Sequence, residues 1–197
     1  MTLFVKHLPK CFVSKVLLLI FEKNIRLKKL LLAASLVIVC QCLMAQKIDS
    51  VQPAYLRFPT LPPLRLLKVD SVTYLTKEDI KKNRRTMVMF FSPDCEHCKH
   101  QTQDMLAEID KFKDIEIVMA TYQPFDEMKS FYNYYRIADH KNILMGRDEK
   151  FVLVPFYKIR SLPYMALYDA KGNLITTFEG NQKISTLISA FEKNAKD

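Results

Sequence analysis

Apolar positions along this chain follow two periods, and the points where one gives way to the other outline the elements. Leu64 to Val69 and Ser71 to Leu75 predict two short strands, after which Thr76, with Glu78 and Asp79 behind it, predicts the N-cap of a brief helix through Lys82. Thr86 to Phe91 is an unbroken apolar run between Arg84-Arg85 and Ser92-Pro93, which predicts a strand covered on both faces. From Cys95 the period lengthens. Cys98, Met105, Ile109 and Phe112 recur at spacings of seven, four and three, predicting a helix of about four turns with Cys95 at its N-terminus. Ile115 to Ala120 reads as the next strand, and Phe125, Met128, Phe131 and Tyr135 mark one face of a helix ending near Ile137. Ile143 to Met145 gives a short strand, and Asp148 is expected to cap a helix from Glu149 to about Tyr157. Tyr164 to Tyr168 and Leu174 to Phe178, around Asp169-Ala170-Lys171-Gly172-Asn173, form a hairpin pattern; Ile184, Leu187, Ile188 and Phe191 line a closing helix. Strands alternating with helices predict an α/β domain.

The N-terminal region follows neither pattern. Arg26, Lys28 and Lys29 precede the apolar run Leu30 to Val39, and Ala45 supplies a small residue at a cleavage point before Gln46. Leu30 to Ala45 is 16 residues long and interrupted by Gln41, where a membrane span needs about 20. Residues 1–45 are therefore read as a signal peptide, with retention as an anchor the alternative. Lipid attachment at Cys40 or Cys42 is disfavoured by Val39 and Gln41 just before them. Residues 46–57 are polar, carry Pro53 and read as a linker, leaving 58–197 as the domain. The expected location is periplasmic or otherwise extracytoplasmic, with membrane contact only through an uncleaved or lipidated N-terminus.

Composition narrows the function. With 49% hydrophobic positions in 197 residues the chain has room for one globular domain, and three glycines exclude a Gly-rich filament. The formal charge of +9 suggests nucleic acid until it is divided. Seven of the 30 Lys and Arg, against one of the 21 Asp and Glu, lie in residues 1–45, so the rest carries 23 basic and 20 acidic side chains, a net of only +3. Nucleic-acid binding loses its support. Cysteine is divided in the same way. Cys11, Cys40 and Cys42 fall in the leader, so the exported product keeps only Cys95 and Cys98, too few for a disulfide scaffold and well spaced for chemistry.

The segment Phe90-Phe91-Ser92-Pro93-Asp94-Cys95-Glu96-His97-Cys98, with Ser161-Leu162-Pro163-Tyr164 further on, resembles the thioredoxin-like thiol-disulfide oxidoreductases, most closely their exported TlpA/ResA-like branch. The resemblance covers roughly residues 58 to 197. It implies a thioredoxin fold, a central mixed sheet flanked by helices, here with an N-terminal strand extension. It also implies a cis-proline at Pro163, with the Leu162 backbone pairing to an extended substrate. A thiolate at a helix N-terminus is stabilised by unpaired N–H groups and the helix dipole, so Cys95 is the expected nucleophile and Cys98, one turn on, the resolving cysteine. His97 is expected to favour the thiolate, and Glu96 and Asp94 to oppose it. No cofactor is implied; the partners are cysteine-containing client proteins and a redox partner protein. One departure stands out: several relatives of that branch carry Glu three residues after the second cysteine, where this chain has Gln101, which cannot act as a general base.

The alternative is a copper or zinc module using Cys95, Cys98 and a histidine, His97 or His100. Zinc normally takes four ligands, which this spacing does not readily supply. Met87, Met89, Met105, Met119, Met145 and Met165 are expected in the core rather than at a metal. Phe131, Tyr132, Tyr134 and Tyr135 are expected to pack along a helix, and Lys81-Lys82 with Arg84-Arg85 to form a solvated turn.

Overall fold

In the computed structural model, which describes residues 28–32 and 52–193, the apolar run at 86–91 becomes the middle of a sheet. This strand, β3 (Arg85–Phe90), follows β1 (Arg65–Leu67) and β2 (Tyr74–Thr76) and precedes β4 (Ile115–Thr121), β5 (Ile143–Arg147), β6 (Tyr164–Tyr168) and β7 (Leu174–Glu179). The seven strands stand in the order β2-β1-β5-β4-β3-β6-β7. β3, β4 and β5 run parallel, whereas β6 and β7 on one side and β1 and β2 on the other are antiparallel additions. This is the thioredoxin fold with its mixed central sheet and the expected strand extension at the N-terminal side.

The helices are α1 (Ala54–Arg57), α2 (Glu96–Ala107), α3 (Phe125–Tyr134), α4 (Leu153–Tyr157) and α5 (Ile184–Lys193). The parallel crossovers from β3 to β4 and from β4 to β5 carry α2 and α3, and both lie on one face of the sheet. There Met87, Met89 and Met119 meet Met105, Met128, Leu187 and Phe191. The alternate residues Val88, Phe90, Val118 and Ala120 face a second apolar cluster with Leu153 and Tyr157 of α4. A strand with an apolar layer on both sides has no polar face to show, which is why 86–91 lacks alternation. All six methionines named above are buried in these layers.

Element ends differ from the sequence reading in places. The α2 period does not continue unbroken to Phe112: the helix stops at Ala107 and Ile109–Phe112 forms a 3-10 turn. Likewise α3 ends at Tyr134, and Arg136 in the left-handed region leads into a 3-10 turn. Thr76 does form a capping box, with Asp79, but around a 3-10 turn of Lys77–Asp79 rather than a helix to Lys82. The helix expected from Glu149 begins only at Leu153, whose N–H donates to Asp148 Oδ2 at 2.8 Å; Phe151, at a φ of 53°, breaks the intervening backbone. The strand read as Ser71–Leu75 starts at Tyr74, because Asp70 draws the 72 and 73 amides into a tight turn at 2.9 Å each.

Two features tie the outer parts to the sheet. A Cβ at Gly146 would lie 2.7 Å from the Leu66 Cβ, so β1 approaches β5 as closely as glycine allows. Within the segment read as a linker, α1 brings the Tyr55 ring against Tyr157, centroids 6.1 Å apart. The turn read as solvated at 81–85 is exposed at Lys81 and Lys82 but anchored at Arg84 and Arg85. Glu116, at the start of β4 and 1% exposed, faces Arg84 Nη1 at 3.5 Å and Lys81 Nζ at 3.7 Å, and Arg85 lies over the Phe191 ring at 5.6 Å. A buried carboxylate needs cations, and Lys81 and Arg84 supply them from a turn distant in sequence.

The signal-peptide reading, its cleavage point and the lipid-attachment cysteines fall outside the described residues, apart from 28–32, which are helical. Among the described residues no helix is long and apolar enough to cross a membrane.

Candidate active site

After β3 the Phe91 N–H still donates to the Ala120 carbonyl of β4 at 3.0 Å, and then the chain leaves the sheet. Ser92 to Cys95 forms a turn closed by the Cys95 N–H on the Ser92 carbonyl at 3.2 Å. Cys95 is thereby the N-cap of α2, with an extended backbone, and its carbonyl accepts the Lys99 N–H at 3.0 Å. One turn later Cys98 points into the core and is 0% exposed, whereas Cys95 is half-buried.

Both cysteines are free thiols. Burial pushes the Cys98 thiol far above its ordinary range; the Ser92 backbone amide, bonding to the sulfur, opposes this, while the Cys95 side chain adds to it. Cys98 therefore keeps its proton at neutral pH. The pair is asymmetric: one sulfur at the surface on a helix N-terminus, the other protonated behind it.

The charged neighbours are already engaged. The Ser92 hydroxyl donates to Asp94, and this bond, with the Asp94 backbone amide, holds that carboxyl below the usual range. Glu96 pairs with Lys99 Nζ at 2.6 Å, and that contact lowers it as well. Glu96 therefore stands beside Cys95 as half of an ion pair rather than as a lone charge. The His97 side chain is exposed, and its imidazole makes no hydrogen bond among the described residues. His100 is also exposed. No group of three or more His, Cys, Asp or Glu stands together as metal ligands among the described residues.

On the other side the Leu162–Pro163 peptide is cis and Pro163 is buried. Three consecutive residues after β7 join that proline to α2. The Gly180 N–H donates to the Pro163 carbonyl at 2.8 Å, Asn181 Nδ2 to the His97 carbonyl at 2.8 Å, and the Gln182 N–H to Gln101 Oε1 at 2.7 Å. Gly180 sits at a φ of 73°, where a side chain would be strained. Sequence reasoning missed this strap, although Gly180-Asn181 between a strand and a helix is a turn signal. Gln101 is 1% exposed, and its Nε2 has no hydrogen-bond partner. The departure noted in the sequence is therefore a buried structural amide whose acceptor is used and whose donor is not.

Residues 75–195 match the family model of a thioredoxin-like domain, more than half of the chain. No curated protein matches the sequence. Among solved structures, the chain is similar to a secreted Mycobacterium tuberculosis disulfide oxidoreductase homologous to E. coli DsbE, at 14% identity, covering 65% of this chain and 93% of that one with a TM-score of 0.54. StoA from Bacillus subtilis is similar at 20% identity, over 67% and 98% of the two chains, with a TM-score of 0.51. Arabidopsis thaliana ScoI with copper bound is similar at 15% identity, over 68% and 97%, with a TM-score of 0.54. At such identities the likeness is one of fold, and it spans a disulfide oxidoreductase and a copper-bound protein.

Proposed function

Because the chain belongs to the thioredoxin-like domain family, we propose that it is a thiol-disulfide oxidoreductase that works through Cys95 and Cys98 on cysteine-containing proteins. The observation that carries this reading is the asymmetry of the pair: an accessible sulfur at the α2 N-terminus and a wholly buried one a turn away.

In the reducing direction the Cys95 thiolate attacks one sulfur of a client disulfide. The client's other sulfur leaves as a thiolate and takes a proton, and a Cys95–client mixed disulfide forms. Cys98 then gives up its proton and attacks the Cys95 sulfur, expelling the second client thiol. The two cysteines lose two electrons and the client disulfide gains them; the oxidising direction is the same sequence reversed. Since Gln101 is no base, the Cys98 proton passes to the departing client sulfur or to water. Leu162, beside cis-Pro163, supplies the backbone edge for an extended client segment, and His97 and Glu96 adjust the Cys95 environment.

We place the protein in the exported TlpA/ResA-like branch and outside the cytoplasm, on the leader pattern and the single cysteine pair of the remaining chain. A redox partner protein returns the pair to its working state. A copper or zinc reading would require further ligands beside the two sulfurs, and no observation favours it.

The test is to replace each cysteine separately. Cys98→Ser retains the attacking sulfur and loses the releasing one, so it should accumulate client proteins in mixed disulfides that run as reducible adducts on gels. Cys95→Ser should accumulate few. Equal trapping by the two variants would overturn the assignment of roles.

A further inference from the structure

Beside Cys95 the surface drops into an open groove between α2 and α3, with a volume of about 760 Å³. That is the size class of clefts that hold ligands. Pro93, Asp94 and Glu96 form its end at the cysteine motif, and none of Ser161, Leu162 and Pro163 lines it. It is thus a surface apart from the cis-proline side.

Its chemistry has two parts. The floor is aromatic: Phe131, Tyr134 and Tyr135 all line it. These rings form a continuous ladder from the core, since Phe91 lies 4.7 Å from Phe131, Phe131 4.4 Å from Tyr135, and Tyr135 4.9 Å from Tyr134, centroid to centroid. At the outer end Tyr134 is 77% exposed. A ring held against its neighbour yet open to water loses little rotamer freedom when it is covered, so it favours an apolar side chain laid on it.

The rim is acidic. Asp94, Glu96, Asp126 and Glu127 line the groove against Lys99 and His100. Lys99 is already taken by Glu96 at 2.6 Å, whereas the Asp126 and Glu127 carboxylates, both exposed, make no ion pair among the described residues. Their place in the first turn of α3 suits its dipole, which accounts for acids at those positions. It does not account for an exposed tyrosine further along the same helix, nor for a negative patch beside the cysteine motif in a chain whose residues after 45 carry 23 basic against 20 acidic side chains.

We propose that this groove is a client-binding subsite that selects polypeptide segments carrying basic and apolar side chains next to the reacting cysteine. The inference rests on the exchange chemistry proposed above and specifies its substrate. A client sulfur over Cys95 puts the adjoining residues at the Pro93 to Glu96 end. A Lys or Arg there meets the free carboxylates of Asp126 and Glu127, and a Leu, Met or aromatic side chain covers Tyr134. An acidic segment meets like charge at the same rim, so selectivity comes from repulsion as well as attraction.

The experiment uses the pre-reduced protein in single-turnover reactions with two synthetic peptide disulfides. They share one cysteine and one small-thiol cap, and the cysteine is flanked by Arg-Leu in one and by Glu-Leu in the other. Hydroxyethyl disulfide serves as the uncharged reference. At low salt the basic peptide should react about tenfold faster than the acidic one, and the ratio should shrink toward unity in about 0.5 M salt as the rim is screened. D126K/E127K should lower the ratio at least about fivefold. Equal rates for the two peptides, with the small disulfide still reacting, would overturn the subsite and leave the exchange chemistry standing. Failure of all three disulfides to react would instead remove the proposed function and this inference with it. If the double variant does not fold, the salt dependence of the wild-type ratio decides: a ratio that salt does not change would overturn the subsite.

Discussion

The two ends of β3 treat buried polar groups in opposite ways. At the N-terminal end, Glu116 is inside the protein but faces Arg84 and Lys81 at 3.5 and 3.7 Å. At the C-terminal end, Cys98 is buried among apolar side chains with its proton held on, and the Gln101 Nε2 is buried with no partner. The first end resolves its burial penalty with charges brought from the adjoining turn. The second leaves part of it standing where the accessible sulfur emerges. An unmet polar group is a penalty to the fold, and the Gln101 amide carries one beside the cysteine pair on which the proposed function rests.

Breaking the satisfied end should have the larger effect on stability. Arg84→Met removes one cation from Glu116 and also the Arg84 bond to the Lys113 carbonyl. With Lys81 still present the expected loss is about 2 kcal/mol in urea unfolding, below what a wholly unpaired buried charge would lose. Reduction of a small disulfide by the folded variant should be unchanged. A fall in that rate alone, at unchanged stability, would contradict the division between the two ends.

At the working end Gln101→Leu should be milder. It removes the Oε1 acceptor of the Gln182 N–H, but also the unpartnered donor, so the two changes partly cancel and about 1 kcal/mol should be lost. Because the strap from Gly180 to Gln182 also holds Pro163, the exchange rate with a peptide disulfide should fall more than with hydroxyethyl disulfide. The ratio of those rates measures it.

The smallest effect concerns pH. Burial raises the Glu116 pKa in the folded protein, outweighing Lys81 and Arg84. A carboxyl that binds its proton more tightly when folded contributes most below the unfolded value of about 4.3, and that contribution is lost as pH rises through the folded value. Glu116→Gln should therefore flatten the decline of unfolding free energy above about pH 4.3 by less than about 1 kcal/mol. A steeper decline in the variant would reverse the assigned sign.

Much of this architecture was legible because it rests on local pattern. The apolar run at 86–91, the period from Cys98 to Met105 and the hairpin around Gly172 each specify their own element. The missed features are those that depend on residues distant in sequence. Glu116 meets Arg84 across 32 positions, so a charge cluster that looked like a solvated turn became an anchor. Asn181 reaches the His97 carbonyl across 84 positions, and no period in either segment announces it. Cys95 and Cys98 were evident from spacing and count. The groove was not, because the expectation that Phe131 and Tyr135 pack is correct of each ring, while the exposure of Tyr134 depends on how far α2 stands from α3. Asp148 shows the limit of local rules: it does bond a helix-start amide, but at Leu153, after a left-handed Phe151 that no apolar pattern foretells.

The central claim is that Cys95 and Cys98 form one reversible two-electron couple. Equilibrating the protein in glutathione buffers of graded ratio, then trapping free thiols and weighing the product, tests it directly. The account predicts that both thiols disappear together as one intramolecular disulfide, without added glutathione mass, at a midpoint between about −270 and −120 mV. Two thiols that stay open to the trapping reagent across the whole series, once the protein is unfolded for trapping, would contradict it.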